Sequence, residues 1–261
     1  MWFYPKIIAH RGGGTLAPEN TLAALRCGMS HGFHAVEFDV MLSADDVPVL
    51  MHDPHFGRTV RGEGQVAQTS AADLIRLDAG SWFDAGFGGE PVPTYEQAVY
   101  FCRSNGIWMN VEIKPAPGNE AKTGWIVGEI TRRLFASEIA AAAQGGTPRH
   151  AAGLPLFSSF SLEALAEAAR AAPEIPRGLL LDSLNAVAPG WHEQAKALEA
   201  VAIHTNHRKL SRGQAAAVKQ AGYGLFCYTV NDPARARELL GWGVDAFCTD
   251  RIDLIGPDFA A

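Results

Sequence analysis

Two histidines and an arginine stand directly after short apolar runs of the sequence, where they could take part in acid–base chemistry. His10 and Arg11 follow the run at 7–9, and His52 follows the run at 47–51. The ordinary pKa of histidine is about 6.5, so one histidine could act as a base and the other as an acid at neutral pH. A lone histidine is more often a core residue, whereas a pair predicted to lie beside carboxylates favours a catalytic role.

Three carboxylates fall inside predicted strands, where apolar side chains are normally found. Glu37 and Asp39 are two residues apart, and Glu112 and Lys114 repeat this spacing, so each pair shares one face of its strand. Central strands of a parallel sheet are usually apolar on both faces. Because the C-terminal ends of barrel strands converge at one mouth, the sequence predicts three negative charges in one cleft.

These carboxylates predict a metal site formed by Glu37, Asp39 and Glu112. Like charges in a partly desolvated cleft repel one another and raise one another's pKa unless a cation lies among them. Oxygen ligands without a thiolate favour a hard divalent ion, so we expect Mg2+ or Ca2+, with Mn2+ as an alternative. Zinc, which would use His10 and His52 as ligands, is the less favoured interpretation.

Arg11 and Lys114 allow two interpretations of this charged cluster. Together with the metal, they could neutralise the non-bridging oxygens of a phosphate ester as charge develops during its hydrolysis. They could instead form a buried ion-pair cluster with the carboxylates that has only a structural role. Burying so much charge for stability alone is unfavourable, so phosphate-ester chemistry is the preferred interpretation.

The elements that must position these residues alternate between strand and helix. Apolar or β-branched runs predict strands, helical periodicity predicts the segments between them, and about eight repeats imply a parallel sheet with helical crossovers. Asn20 is the expected N-cap of the first helix, and 140–152 is expected to be a loop. The predicted strands are 7–9, 35–42, 47–51, 107–113, 154–157, 178–181, 200–204, 225–230 and 245–248, and the predicted helices are 21–30, 95–104, 125–136, 162–171, 212–220 and 234–240.

The chain length of 261 residues and this alternation favour an α/β fold, a (β/α)8 TIM barrel formed by a single domain over 1–261. A doubly wound open sheet is the alternative, but no GxGxxG motif follows the first strand. The segment at about 55–93 is rich in glycine and aspartate and is too long for an ordinary connection. We expect an insertion after the second strand, which is either a substrate lid or a stabilising excursion.

Composition excludes some partners. With 28 acidic and 22 basic side chains the net charge is −6, which does not fit a nucleic-acid-binding surface. The N-terminus lacks the features of a signal peptide and no apolar run is long enough to span a bilayer, so we expect a cytoplasmic protein without stable membrane association. The four cysteines form no CxxC pair and are expected to be reduced.

Short motifs, several of which contain the histidines, carboxylates and cationic residues described above, occur in order along nearly the whole chain. They are Ala9-His10-Arg11-Gly12, Pro18-Glu19-Asn20-Thr21, Glu37-Phe38-Asp39, Leu50-Met51-His52-Asp53, Glu112-Ile113-Lys114-Pro115, Leu156-Phe157-Ser158-Ser159-Phe160, Tyr228-Thr229-Val230-Asn231 and the run at 243–250. Together they resemble the glycerophosphodiester phosphodiesterase family. The part from 204 to 259 is similar to the cytoplasmic bacterial members associated with glycerol-3-phosphate uptake.

The resemblance implies a TIM barrel with an insertion after the second strand. It also implies hydrolysis of a glycerophosphodiester, such as glycerophosphocholine or glycerophosphoethanolamine, to sn-glycerol 3-phosphate and an alcohol. As a hypothesis, the glycerol 2-hydroxyl attacks phosphorus, and the resulting cyclic phosphate is then opened by water. The roles that the resemblance assigns are the metal ligands Glu37, Asp39 and Glu112, the acid–base pair His10 and His52, and the phosphate contacts Arg11 and Lys114.

Two other functions are kept as alternatives. A related barrel phosphodiesterase acting on lysophospholipids would need an apolar rim or a membrane-binding face, and a non-catalytic metabolite-binding barrel would not need an acid–base pair. Trp82 and Phe83 of the insertion either cover the leaving alcohol or pack the insertion onto the barrel. His204 and His207 are interpreted as loop or supporting residues rather than metal ligands.

Overall fold

Eight parallel strands close into a barrel in the computed structural model, which describes residues 2–145, 153–185 and 190–260. β1 pairs with both β2 and β9, with Ala9 opposite Val36 and Ile8 opposite Cys248, so the ring is closed. The predicted TIM barrel is confirmed, and the open doubly wound sheet is excluded. The strands are β1 (Ile7–Ala9), β2 (Ala35–Leu42), β3 (Pro48–Leu50), β4 (Trp108–Ile113), β5 (Leu156–Ser159), β6 (Arg177–Leu181), β7 (Ala202–Asn206), β8 (Gly224–Tyr228) and β9 (Ala246–Thr249).

The strand β3 lies outside the ring, because it pairs antiparallel with β2 as the second arm of a hairpin. Val40 lies opposite Leu50, and the backbone N–H of Met51 donates to the carbonyl of Asp39. His52 therefore does not follow a barrel strand, contrary to the convergence argument made from the sequence. The returning arm of the hairpin brings it back to the level of Asp39 at the barrel mouth.

Helices surround the barrel and occupy most connections between its strands. α4 begins five residues before its predicted start, and α7 was not predicted. The helix α5 occupies residues 136–145, so the predicted loop is wrong for 140–145, while 146–152 lie outside the described residues. The described helices are α1 (Leu22–Ser30), α2 (Ala71–Leu74), α3 (Tyr95–Ser104), α4 (Glu120–Leu134), α5 (Ala136–Gly145), α6 (Leu162–Ala171), α7 (Trp191–Ala197), α8 (Arg212–Gln220) and α9 (Pro233–Gly241).

None of the helices in the described part of the chain combines the length and the apolar character needed to cross a membrane. The cytoplasmic location stays a prediction.

The two faces of β2 show how this fold exposes polar side chains to the barrel interior. Val36, Phe38 and Val40 point outward into the main apolar core, which the surrounding helices complete. Glu37 and Asp39 point inward, although both are buried. Burying carboxylates inside a barrel is unfavourable unless they are paired or bind a cation, so the inner face serves a site rather than stability.

Aromatic side chains fill the opposite end of the barrel interior. Trp2 lies 6.0 Å from Phe226 and 6.4 Å from Trp108 between ring centroids, and Tyr4 stacks on Trp108 at 4.7 Å. A methyl group on Gly224 would lie only 2.9 Å from the Trp2 ring, so this small residue makes room for it. The aromatic floor leaves the C-terminal mouth as the polar end of the barrel.

The insertion at 55–93 packs through an apolar cluster of its own. Val66, Leu74 and Val92 are buried against Met41 and Met51 of the β2–β3 hairpin. The insertion thus rests on the hairpin beside the mouth rather than extending the main core. That one domain spans residues 1–261 stays a prediction.

Candidate active site

His10 is held by a carboxylate from the far end of the chain. Its Nδ1 lies 2.5 Å from Oδ1 of Asp250, while Asn231 donates from Nδ2 to Oδ2 of Asp250 over 2.8 Å. Burial lowers the pKa of His10, but the hydrogen bond to Asp250 and the charge of Glu37 outweigh this effect and raise it. The ring therefore has one nitrogen fixed by Asp250, which leaves Nε2 for chemistry, 3.8 Å from Glu37.

A glycine permits the close approach that brings His10 and Asp250 together. Gly14 has φ of +55°, and a Cβ atom there would lie 2.1 Å from the carbonyl oxygen of Asp250. The backbone N–H groups of Gly14 and Thr15 donate to the carbonyls of His10 and Asp250, respectively. The loop after β1 is thereby tied to the loop after β9, which fixes the histidine and its carboxylate relative to each other.

Arg11 contacts three carboxylates from a strained backbone position. Its φ is +50°, a left-handed conformation that is uncommon for a side chain of this size. Its backbone N–H donates to Glu37 over 3.0 Å, and Nη1 donates to Glu19 over 2.8 Å. Its Nε lies 3.5 Å from Oδ2 of Asp39. The guanidinium is thus fixed above the inner carboxylates, where it can also meet an anion.

Asp39 is fixed by a reciprocal pair of hydrogen bonds with Asn20. The Asn20 amide donates to Oδ2 of Asp39 over 2.8 Å, and the backbone N–H of Asp39 donates to the Asn20 oxygen over 3.1 Å. The prediction that Asn20 caps α1 is wrong, because the Thr21 side chain accepts from Ala24 instead. Asparagine tolerates the φ of +57° that this position requires.

Glu112 joins the cluster because β4 lies beside β2 in parallel register, with Asp39 opposite Glu112. Lys114 lies at the end of β4 and places Nζ 3.3 Å from Glu112 and 3.4 Å from Asp39. The strand pairing thus brings Glu37, Asp39, Glu112 and Lys114 into one site, as predicted from their spacing.

The electrostatics of the three carboxylates are unequal. Burial and then the charge of Asp39 raise the pKa of Glu37 to about 8 and that of Glu112 to about 7. Burial also acts to raise the pKa of Asp39, but Lys114 and Arg11 outweigh it and lower that pKa. The site therefore holds Asp39 ionised, while Glu37 and Glu112 lack sufficient cationic partners.

A divalent cation would supply the missing positive charge. Glu37, Asp39 and Glu112 each offer one carboxylate oxygen, and these oxygens lie within 4.8 Å of one another. Within the described residues this is the one cluster of histidine, cysteine and acidic side chains that could hold a metal. All three donors are oxygens, so the cluster fits a hard ion better than zinc.

His52 faces the same site from the β2–β3 hairpin. Its Nδ1 lies 2.6 Å from Oδ1 of Asp53, whose other oxygen accepts from Nε of Arg58 over 2.6 Å. Burial lowers the pKa of His52, although the charge of Asp39 acts in the opposite direction. Burial would raise the pKa of Asp53, but its hydrogen bonds to Arg58 and His52 lower it to about 2. The two histidines thus each have a carboxylate on Nδ1.

A cavity of about 380 Å3 lies beside His10 and Arg11, and the insertion forms one of its walls. Trp82 and Phe83 line it, in edge-to-face contact at 5.7 Å. This placement leaves both interpretations of the aromatic pair open, as a cover for the leaving alcohol or as packing of the insertion. Asp250 completes the lining near His10.

Sequence reasoning assigned no role to several residues that orient the site. Asp250 and Asn231 lie directly after β9 and shortly after β8, so the strand-end rule that found His10 could have found them. Glu19 and Arg58 lie on loops, and their contacts give no periodic signal in the sequence.

Two other histidines considered from the sequence differ in their surroundings, and His204 lines the same interior cavity as Glu37 and Glu112. His204 is on β7, not in a loop, and its ring stacks on Phe226 at 4.4 Å. His207 accepts from Nε of Arg235 over 3.5 Å through Nδ1. Neither belongs to the metal-ligand cluster found among the described residues, and their supporting role stays a prediction.

The closed barrel, the carboxylate cluster and the two carboxylate-paired histidines are typical of a TIM-barrel enzyme, with the candidate active site at the C-terminal mouth. Residues 10–254 match the model of the glycerophosphoryl diester phosphodiesterase family, and the chain belongs to this family.

Several relatives are similar to this chain over nearly their full length. The chain is 30% identical to a glycerophosphodiester phosphodiesterase of Caldanaerobacter subterraneus, and the alignment covers 94% of this chain and 93% of the relative. An Oleispira antarctica phosphodiesterase, solved in complex with the product sn-glycerol-3-phosphate, is 34% identical with a TM-score of 0.82, covering 99% and 98% of the two chains. A glycerophosphodiester phosphodiesterase of Agrobacterium tumefaciens is 28% identical with a TM-score of 0.71, covering 98% and 99%.

Proposed function

We propose that this enzyme hydrolyses glycerophosphodiesters, such as glycerophosphocholine and glycerophosphoethanolamine, to sn-glycerol 3-phosphate and an alcohol. The observation that carries the proposal is the set of three carboxylate oxygens within 4.8 Å of one another, flanked by two histidines and two cationic side chains. Family membership and the product bound to the Oleispira relative support the choice of substrate.

The metal in this proposal is Mg2+ or Ca2+, with Mn2+ as an alternative, and its ligands are Glu37, Asp39 and Glu112. When bound, such an ion stabilises the negative charge that develops on the phosphoryl oxygens. Lys114 and Arg11 contribute positive charge from either side of Asp39 and would contact the phosphate.

His10 and His52 exchange protons with the substrate. One histidine takes the proton of the glycerol 2-hydroxyl, and that oxygen attacks phosphorus while the bond to the alcohol breaks. The other histidine gives its proton to the departing alcohol oxygen. Water then opens the cyclic phosphate with the proton roles of the histidines reversed, which leaves sn-glycerol 3-phosphate. Asp250 and Asp53 hold Nδ1 of the two rings, so Nε2 is the nitrogen that transfers the proton in each case.

The proposal is tested by stripping the protein of metal and incubating it with glycerophosphocholine after adding back Mg2+, Ca2+ or Zn2+. We expect release of glycerol 3-phosphate with Mg2+ or Ca2+, and its loss in the variants His10→Ala and Glu37→Gln. Glu63→Gln, an exposed change in the insertion, is the matched control and should retain activity. Absence of release with any ion and any head group would favour another phosphodiester or a metabolite-binding role.

Internal attack is tested separately with a substrate analogue that lacks the 2-hydroxyl of glycerol. We expect the enzyme to bind this analogue but not to turn it over. Turnover at the rate of the natural substrate would contradict the cyclic intermediate and favour direct attack by water.

Phosphodiester hydrolysis of lysophospholipids is the second candidate, because apolar side chains lie near the mouth. Phe160 and Leu162, directly after β5, are 49% and 39% exposed. Phe160 also contacts Tyr228 at 5.8 Å between ring centroids. Equal activity on lysophosphatidylcholine and glycerophosphocholine would favour this second candidate, whereas activity on glycerophosphocholine alone would favour the first.

A further inference from the structure

One arginine of the insertion contacts two carboxylates that belong to different parts of the mouth. Arg58 donates from Nη1 and Nη2 to the two oxygens of Glu19 over 2.6 and 2.7 Å. Its Nε donates to Oδ2 of Asp53 over 2.6 Å. Glu19 precedes α1, and Asp53 follows the β2–β3 hairpin, so the guanidinium joins three segments of the chain.

Each of these carboxylates also has an oxygen in contact with a residue of the proposed site. Oδ1 of Asp53 lies 2.6 Å from Nδ1 of His52, and Oε1 of Glu19 accepts from Nη1 of Arg11 over 2.8 Å. We infer that Arg58 is a positioning residue that sets the His52 ring through Asp53 and the Arg11 guanidinium through Glu19. This inference rests on the proposed function of His52 and Arg11.

The chemistry of the contacts requires arginine. A planar guanidinium can donate a parallel pair of hydrogen bonds to one carboxylate and a third to another, whereas a lysine ammonium has no such fixed geometry. Without Arg58, Glu19 would keep its hydrogen bond to Arg11 and Asp53 its contact with His52, as far as the described residues show. Both carboxylates could then rotate and take the catalytic group with them.

The partial exposure of Arg58 indicates that its ion pairs affect the positions of the site residues more than the free energy of unfolding. The Arg58 side chain is 43% exposed, and ion pairs at exposed positions contribute little to the free energy of unfolding. A catalytic group displaced by about 1 Å can nevertheless reduce turnover by about 100-fold. We therefore expect substitution of Arg58 to reduce kcat far more than it reduces the melting temperature.

The kinetic test compares Arg58→Gln with Arg76→Gln, which makes the same chemical change at an exposed arginine of the same insertion. We expect kcat/KM for glycerophosphocholine to fall by about 10- to 100-fold in Arg58→Gln. Metal affinity should stay unchanged in both variants, and Arg76→Gln should match the wild type. Wild-type kinetics in Arg58→Gln, or a loss explained by a lower melting temperature, would overturn the inference.

Chemical rescue distinguishes positioning from a general structural role. In Arg58→Ala, millimolar guanidinium should restore part of kcat, because the free ion can bridge Glu19 and Asp53. Potassium at the same ionic strength should have no effect. Arg58→Lys should retain less activity than the rescued variant gains, and equal rescue by both salts would overturn the inference.

Crystal structures of the wild type and Arg58→Gln decide the inference without any activity measurement. We expect the His52 ring or the Arg11 guanidinium to move once Glu19 and Asp53 lose their common partner. Unchanged positions for both groups would overturn the inference. An inactive wild type would contradict the proposed function, yet the two structures would still show whether Arg58 positions these side chains.

Discussion

Glu37 and Glu112 retain protons near neutral pH because burial and the neighbouring Asp39 raise their pKa to about 8 and about 7. A metal ion binds the ionised carboxylates, so these protons must leave when it binds. Below pH 7 the protons on both carboxyl groups compete with the ion. Between pH 7 and 8 the competing proton is chiefly that of Glu37, and above pH 8 neither group holds one. We predict that metal affinity rises steeply from pH 6 to 8, by about tenfold per unit for each proton displaced, and then levels off.

Titration calorimetry at pH 6, 7, 8 and 9 measures this dependence. At pH 7, repeating the titration in two buffers of different ionisation enthalpy counts the released protons. Affinity that stays constant between pH 6 and 8, without proton release, would contradict the assignment of Glu37 and Glu112 as ligands.

The buried His204 should make the free energy of unfolding sensitive to acid. Burial lowers its pKa to about 3, and its Nε2 has no hydrogen-bond partner within the described part of the chain. In the unfolded chain His204 binds a proton at about pH 6.5, but in the native state it does not. The free energy of unfolding is therefore unaffected by His204 above this pH and falls as pH decreases toward 3. The loss between pH 6.5 and 5.5 should be about 1 kcal/mol.

Urea unfolding across this range tests the prediction with His204→Phe, which keeps a ring against Phe226 but cannot titrate. The variant should lose less stability on acidification than the wild type. His34→Phe, the same change at an exposed histidine, is the matched control for the substitution itself. Equal slopes for the wild type and His204→Phe would contradict the effect of burial.

The residues of the proposed site could be singled out from the sequence because they stand where apolar strands should continue or end. Glu37, Asp39 and Glu112 break the apolar pattern of central strands, and His10 follows one directly. Asp250 and Asn231, which orient His10, also lie at or near strand ends, but the sequence does not show which residue they contact. Asp250 reaches His10 from 240 positions away in the sequence, and no local pattern records that contact.

At the level of elements, α4 and α6 pack so closely that the contact positions on α4 have no room for a side chain. A Cβ atom on Gly124 would lie 2.0 Å from the backbone oxygen of Ala164, and one on Gly128 would lie 2.8 Å from the Cβ atom of Ala171. Both glycines face α6 because they are four residues apart on one helix. We predict that Gly124→Ala lowers the free energy of unfolding by about 1–3 kcal/mol, although alanine is the better helix former.

Chemical denaturation of Gly124→Ala and Gly213→Ala measures this effect against a matched control. Gly213 lies in α8, and a Cβ atom there would meet nothing within 4 Å. This control should gain up to about 1 kcal/mol from helix propensity alone. Stabilisation by both substitutions would show that α4 and α6 can separate at no cost.

The elements themselves were predictable where periodicity was strong and not where pairing depended on three-dimensional context. All predicted strands overlap observed ones, but β3 joins β2 in an antiparallel hairpin that hydrophobic pattern cannot distinguish from a barrel strand. α5 was predicted in part as a loop, because a run of alanines lacks an amphipathic pattern. Asn20 was misplaced as a cap because asparagine serves caps and left-handed turns equally well.

For the whole molecule, the proposed metal would be held by two neighbouring barrel strands, since Glu37 and Asp39 lie on β2 and Glu112 lies on β4. A ligand that binds only the native state stabilises it by about 2.7 kcal/mol at a concentration 100 times its Kd. We predict a rise of several degrees in the melting temperature of the metal-stripped protein when Mg2+ or Ca2+ is added. Glu112→Gln should show a smaller rise, and an identical rise in both would place the ion elsewhere.

Phosphorus NMR of glycerophosphocholine turnover tests the central claim most directly, because it shows which phosphorus–oxygen bond breaks. With metal-loaded enzyme we predict that the diester resonance is replaced by that of sn-glycerol 3-phosphate, with a five-membered cyclic phosphate as a transient species. His10→Ala should leave the diester resonance unchanged. Formation of phosphocholine instead of glycerol 3-phosphate, or a diester resonance that persists with the wild-type enzyme, would contradict the account.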